Sequence, residues 1–150
     1  MHRAARWWFL VVACLVAAQP ASAHSRVERA VIAHINEARA AAGLSALRPS
    51  PALERAADAH SAAMAAHGSL THGSWEARLR GFTRARTIGE TIGWMPARSA
   101  GAANLVRAWM GSPPHRATLL TAAFRRVGVA RRTAVVGGRR VAFFTADLAS

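Results

Sequence analysis

The chain has 150 residues, room for one domain, and a formal net charge of +13 in which all 20 basic residues are Arg against seven acids. The absence of Lys excludes Schiff-base chemistry and a phosphate-loop lysine, and so few acids exclude an EF-hand or a carboxylate-rich magnesium cage. The single Cys, Cys14, falls in a segment read below as removed, which excludes disulfides, thiolate zinc sites and a Cys nucleophile from the product.

The chain opens with Arg3 and Arg6, then Trp7–Ala18, 12 residues without a charge. A membrane span needs about 20 apolar residues, so this run is too short. Pro20 and the small residues Ala21-Ser22-Ala23 complete a secretory signal peptide cut after Ala23, with an uncleaved anchor as the alternative. Residues 24–150 then form a single exported domain carrying 18 Arg to seven acids, +11. Such a charge favours anionic lipid or a cell-envelope polymer as partner. No run of five basic residues and no interleaving of basic and aromatic residues points to specific nucleic-acid binding, and the chain is expected to be a monomer.

Glu28–Ala42 reads as an amphipathic helix, with Val27, Val31, Ile35 and Ala38 at three- and four-residue steps and Gly43 as its stop. After the connector Leu44–Leu47, Ser50-Pro51 opens a second helix running to about Ala66, closed by Gly68. Leu53, Ala56, Ala57, His60, Ala63, Met64 and His67 fall near one of its faces, and His60 and His67 read as ordinary packing residues. Residues 68–93 read as irregular, apart from a short helix at Trp75–Arg80 that Ser74 can cap. Ser99–Met110 is a third helix with Leu105, Val106 and Trp109 on its apolar side. Ser112-Pro113-Pro114 breaks it, and His115–Leu120 adds a turn or two. Val127 and Val129 then alternate as in a strand, Gly137-Gly138 signals a hairpin, and Arg140–Ala146 returns with Val141, Phe143 and Thr145 in step. Helices first and a hairpin last define an α+β domain, with helices packed on a small antiparallel sheet.

The common catalytic motifs H-E-x-x-H, G-x-S-x-G, G-x-G-x-x-G and C-x-x-C are absent. A Ser69–His72–Asp147 triad can be drawn, but nothing in the pattern selects it. Glu76 and Glu90 are the only acids of the irregular region, and nothing singles out Glu76.

Four stretches in order carry a family resemblance. They are Ile35-Asn36-Glu37-Ala38-Arg39 with Gly43-Leu44 and Leu47, Thr71-His72 after the Ala-rich helix, Ile88-Gly89-Glu90-Thr91-Ile92, and Ala108-Trp109-Met110-Gly111-Ser112-Pro113-Pro114-His115-Arg116 followed by Leu119-Leu120 and Phe124. With Val127-Gly128-Val129 behind them, they resemble the CAP superfamily of cysteine-rich secretory, antigen 5 and pathogenesis-related proteins, in its short, cysteine-free bacterial branch. The resemblance implies a three-layer α-β-α sandwich and a surface cleft where His72, Glu90 and His115 converge. It departs from the family at Ser112, where some members place a second Glu, at Thr91 in place of Asn, and at Ala146 in place of Gln. The loop between His72 and Glu90 is also short.

Two imidazoles and a carboxylate are a ligand set for Zn²⁺, with His72 and His115 as ligands and Glu90 as the third ligand or as a hydrogen-bond partner of one imidazole. The expected function is therefore an extracytoplasmic binding module, secreted or periplasmic, acting through this polar cleft. The alternative is a metal-dependent hydrolase using the same three residues. Trp75 and Trp94 are expected to flank the cleft, Trp109 to be core, and Asn36 to hydrogen-bond a neighbouring backbone group.

Overall fold

A computed structural model describes residues 26–150, so the leader read at residues 1–23 lies outside the described residues. The elements are α1 (Arg26–Ala41), β1 (Arg48–Pro49), α2 (Pro51–His67), α3 (Trp75–Arg80), β2 (Ile88–Pro96), a 3₁₀ turn (Ala97–Ser99), α4 (Ala102–Gly111), α5 (Pro113–Leu119), β3 (Arg126–Val136) and β4 (Arg139–Ala149). Among the described residues no helix is long and apolar enough to cross a membrane.

Local signals set most of these boundaries. Ser50 accepts the Leu53 N–H on its side chain, Pro51 takes the first helical position, and Gly68 ends α2 in the left-handed region at φ 63°. Pro113 and Pro114 separate α5 from α4. Gly137 and Gly138 both have positive φ, which a two-residue hairpin between right-twisted strands requires. Ser74 makes no side-chain cap; its carbonyl instead accepts the Arg78 N–H at 3.0 Å.

The sheet order is β1-β3-β4-β2. β3–β4 and β4–β2 are antiparallel, but two-residue β1 joins β3 in parallel, so the sheet is mixed rather than wholly antiparallel. The irregular reading of residues 68–93 also fails at its end, where β2 runs as a nine-residue strand along β4.

β4 is buried throughout Val141–Ala149 and supplies both faces. Ala142, Phe144, Ala146 and Leu148 pack with Val31 and Ile35 of α1 and with Leu105 and Trp109 of α4. On the other side Val141 and Phe143 pack with Met64 of α2, and Ala149 with Leu53, Ala56 and Leu79. The result is the expected helix–sheet–helix sandwich. Trp109 is core, and its Nε1–H donates to the Ile92 carbonyl at 2.8 Å. On α2, Leu53, Ala56, Ala57, His60 and Met64 are buried, whereas Ala63 and His67 face out.

Two features bring the layers into close contact. α2 crosses β3 at Gly128, where a Cβ would stand 2.1 Å from Leu53 C and Glu54 N. On the opposite face Arg39 is fully buried, and its guanidinium donates to the carbonyls of Ser45, Leu119, Thr121 and Phe124. It thereby ties the α1 exit to the α5–β3 connection. Asn36 likewise brackets Leu47, accepting its N–H at 2.8 Å and donating to its carbonyl at 3.1 Å.

Candidate functional site

The site rests on one cross-strand pair. In the β2–β4 register Glu90 stands opposite Asp147, so both carboxylates project from the sheet face covered by α2 and α3. Both side chains are fully buried. Two like charges opposite each other inside a protein need a cation between them, and Arg78 of α3 supplies it. Its guanidinium pairs with Glu90 Oε2, with Asp147 Oδ2 at 2.6 Å and Asp147 Oδ1 at 3.1 Å, and donates to the Ala56 carbonyl at 2.8 Å.

The remaining oxygen of Glu90, Oε1, lies 2.7 Å from His72 Nδ1. With Glu90 ionised, Nδ1–H is the donor, which leaves Nε2 of a neutral ring as an acceptor. His72 sits on the loop after α2, and its side chain is 46% exposed. A buried Arg78–carboxylate base thus holds an imidazole at the protein surface. His60 of α2 backs the group: its Nε2 lies 2.9 Å from the Thr71 carbonyl, fixing the residue before His72, and 3.6 Å from Glu90 Oε2.

Burial, reinforced by the charge of Asp147, outweighs the cationic partners and pushes the Glu90 carboxyl up to about 7. Burial also raises Asp147 despite Arg78. His60 is lowered by burial and then by the Arg78 charge, and His115 by burial and then by the His72 charge. A carboxyl with a higher folded than unfolded pKa binds an extra proton in the folded state between the two values. Its contribution to stability is complete below about 4.5 and is lost as pH rises through about 7. The stability of the wild type relative to Glu90→Gln is therefore expected to fall by about 2–3 kcal/mol between pH 4.5 and 8. Urea unfolding of both proteins across that range checks this, and a flat difference contradicts it.

The structure brings His72 and Glu90 into direct contact. His115, at the start of α5, is half-buried and close enough to feel the His72 charge, but makes no side-chain hydrogen bond among the described residues. Both Glu90 oxygens are engaged, so Glu90 stands as the hydrogen-bond partner of His72. Among the described residues no three His, Cys, Asp or Glu side chains are arranged to hold a metal ion. The set His72, Glu90 and His115 does not, as folded, fit a three-ligand zinc centre.

Sequence reasoning missed Arg78 and the approach of His60, and it placed Asp147 only in a triad on paper. Asp147 is held by Arg78 instead of His72. Thr91, standing where the family pattern has Asn, leaves its hydroxyl buried without a hydrogen-bond partner among the described residues. One groove of about 1150 Å³ includes Trp94 and Arg98, and another of about 350 Å³ includes Met110 and Arg116; neither is lined by His72, Glu90 or His115. Trp94 lines the first of these grooves, and Trp75 packs beside Leu79 and Leu53.

The chain is an α-β-α sandwich with a His–Glu pair set between the loop after α2 and strand β2. The chain belongs to the cysteine-rich secretory protein family, CAP, which matches it over residues 32–147. No curated protein matches it in sequence. Among solved structures it is similar to an extracellular SCP-domain protein of Bacillus anthracis (TM-score 0.68, 23% identity), covering 81% of this chain and 39% of that one. It is also similar to an outer surface protein of Borrelia burgdorferi (0.65, 16%), covering 81% and 92%, and to NaASP2, solved with Zn²⁺ (0.57, 9%), covering 80% and 78%. At these identities the likeness shows the shared fold. This chain spans less than half the length of the Bacillus anthracis protein.

Proposed function

We propose that the chain works outside the cytoplasm as a non-catalytic binding module, and that its ligand, a lipid or another envelope component, contacts His72 and His115 beside Glu90. The observation that carries this reading is the half-exposed His72 imidazole, held in one orientation by a fully buried carboxylate that Arg78 anchors. Such a device presents an oriented hydrogen-bonding group at the protein surface. The extracellular and outer-surface character of two structural neighbours supports the location. Phosphatidylglycerol vesicles and solubilised muropeptides are the probes. At moderate salt, His72→Ala is expected to weaken binding of one of them about tenfold, or about 1.4 kcal/mol. Binding that survives both His72→Ala and His115→Ala would leave only a diffuse attraction by the Arg-rich surface.

A second reading, a metal-dependent hydrolase, is favoured by one feature. An imidazole whose Nδ1–H is held by a carboxylate is the usual outer-shell arrangement of a metal-binding His, and NaASP2 was solved with Zn²⁺. A two-imidazole site on His72 and His115 is expected to bind Zn²⁺ weakly, because a catalytic zinc ordinarily has three protein ligands. Calorimetric titration with Zn²⁺ decides between the readings. Weak binding lost in either His→Ala variant supports the binding module, whereas one tightly held Zn²⁺ with hydrolytic turnover lost in His72→Ala supports the hydrolase.

A further inference from the structure

The β3–β4 ribbon outruns the helix layer on one of its faces. Across the two-glycine turn Val135 pairs with Arg140 and Val136 with Arg139. Directly paired residues share a face, so Val135 and Arg140 project to one side and Val136 and Arg139 to the other. Thr133, Val135 and Arg140 stand on the α1 side and are all exposed, whereas Ala142, opposite Thr133, is still buried in the α1–α4 core. Val135 is 72% exposed, the most exposed of the large apolar side chains among the described residues. On the other side Val136 abuts the end of α2, where a Cβ on Gly68 would lie 3.5 Å from its Cγ2, and this contact braces the ribbon.

The tip is also cationic without compensation. From Thr133 to Arg140 the sequence has no acid. Two carboxylates that reach β3 are engaged further down, Glu28 by the Arg131 backbone N–H and Asp58 by Arg132. Arg139 and Arg140 have no acidic partner among the described residues. Neither has Arg98, on the 3₁₀ turn after β2, whose last residue Pro96 lies opposite Val141 at this same end of the sheet.

From this juxtaposition of an uncovered valine with flanking unpaired guanidinium groups we propose that the hairpin tip docks the protein end-on upon an anionic lipid bilayer. Arg139 and Arg140 leave opposite faces of the ribbon, so they cannot close together on one small ligand. A plane approached by the tip meets both, and their long apolar stems let the charged ends stay at phosphate level. Val135 selects the bilayer over a soluble polyanion, because only the bilayer has an apolar interior in which to bury it. The peptide groups of the turn still need water, which keeps the insertion shallow. Glu90 and Pro96 are six residues apart on β2, roughly 20 Å, so docking leaves His72 clear of the membrane and the two activities can fail separately.

The test uses residues 24–150, which contain the whole sandwich and no Cys, so Val135→Cys gives a single site for a polarity-sensitive nitrobenzoxadiazole label. With vesicles of equimolar phosphatidylcholine and phosphatidylglycerol the label is expected to shift to the blue and brighten. With phosphatidylcholine alone, or with the label on Ala62→Cys of α2, it is expected to stay unchanged. Arg139→Glu/Arg140→Glu, in the unlabelled protein, is expected to weaken vesicle binding about tenfold or more. Arg55→Glu/Arg84→Glu, with the same net charge, is expected to weaken it no more than about threefold. Val135→Ser is expected to cost about fivefold while keeping the salt dependence, and near-UV circular dichroism verifies that each variant is folded. The proposal is overturned if the label at position 135 does not respond, or if the two double variants lose affinity equally. It is overturned as well if oligogalacturonate or oligothymidylate binds through Arg139 and Arg140 more tightly than the vesicles do. Vesicle binding lost in His72→Ala but kept in Arg139→Glu/Arg140→Glu would assign the lipid to the His72 site and overturn it too.

Discussion

Arg78→Met is expected to be among the most damaging single substitutions in the described part of the chain. Removing the guanidinium leaves Glu90 and Asp147 opposite each other on β2 and β4, both fully buried, with no cation between them. Breaking a buried pair in this way costs about 3–5 kcal/mol, which in a domain of this size lowers the unfolding midpoint by roughly 10–20 °C. The loss depends on pH in a definite direction. Without Arg78 both carboxyls rise further above their unfolded values, so the penalty grows as pH rises and shrinks as both groups become neutral. Thermal melts at pH 5 and pH 8 should show the smaller deficit at pH 5. A deficit that is equal at the two values, or larger in acid, would mean that Arg78 acts through packing alone.

Gly128→Ala is the second large effect, and its origin is steric. The new methyl would meet backbone atoms of Leu53 and Glu54 at 2.1 Å, and backbone cannot rotate out of the way as a side chain can. α2 must lift from β3, at a cost at or above the upper end of the 1–3 kcal/mol typical of overpacking. Because α2 carries His60, the lift should also disturb the Thr71–His72 loop and shift the His72 imidazole resonances. Gly111→Ala is the matched control. A Cβ there meets nothing within 4 Å and gains helix propensity, so its unfolding midpoint should be unchanged or slightly raised. Comparable losses in the two variants would refute the steric account.

The sequence made the fold legible wherever the deciding signal is local. Ser50-Pro51, Gly68, Pro113-Pro114 and Gly137-Gly138 each act within a turn of chain, and the elements they bound fall within a few residues of expectation. β2 was hidden because Gly89 and Gly93 weaken any strand pattern, and the reason for them is tertiary. A Cβ at Gly89 would strike Phe124, and one at Gly93 would strike Trp109. The site was legible only in outline. Family resemblance gave His72, Glu90 and His115, and His72 and Glu90 are hydrogen-bonded in the structure. Arg78, on a short helix with three other charged or exposed neighbours, reads as a solvated cation until β2 and β4 are placed in register. His60 was assigned to packing on periodicity alone, which does not show what a buried ring nitrogen turns toward.

Glu90 and Asp147 ride on strands of unequal attachment. β4 has a neighbour on each side, whereas β2 forms the rim of the sheet. If the rim strand peels away, Asp147 stays behind with Arg78 while Glu90 passes into water and its affinity for a proton drops from near pH 7 to that of a free carboxyl. Attachment of the rim and uptake of that proton are thus linked equilibria, and mild acidification tightens the same seam that an alkaline medium loosens.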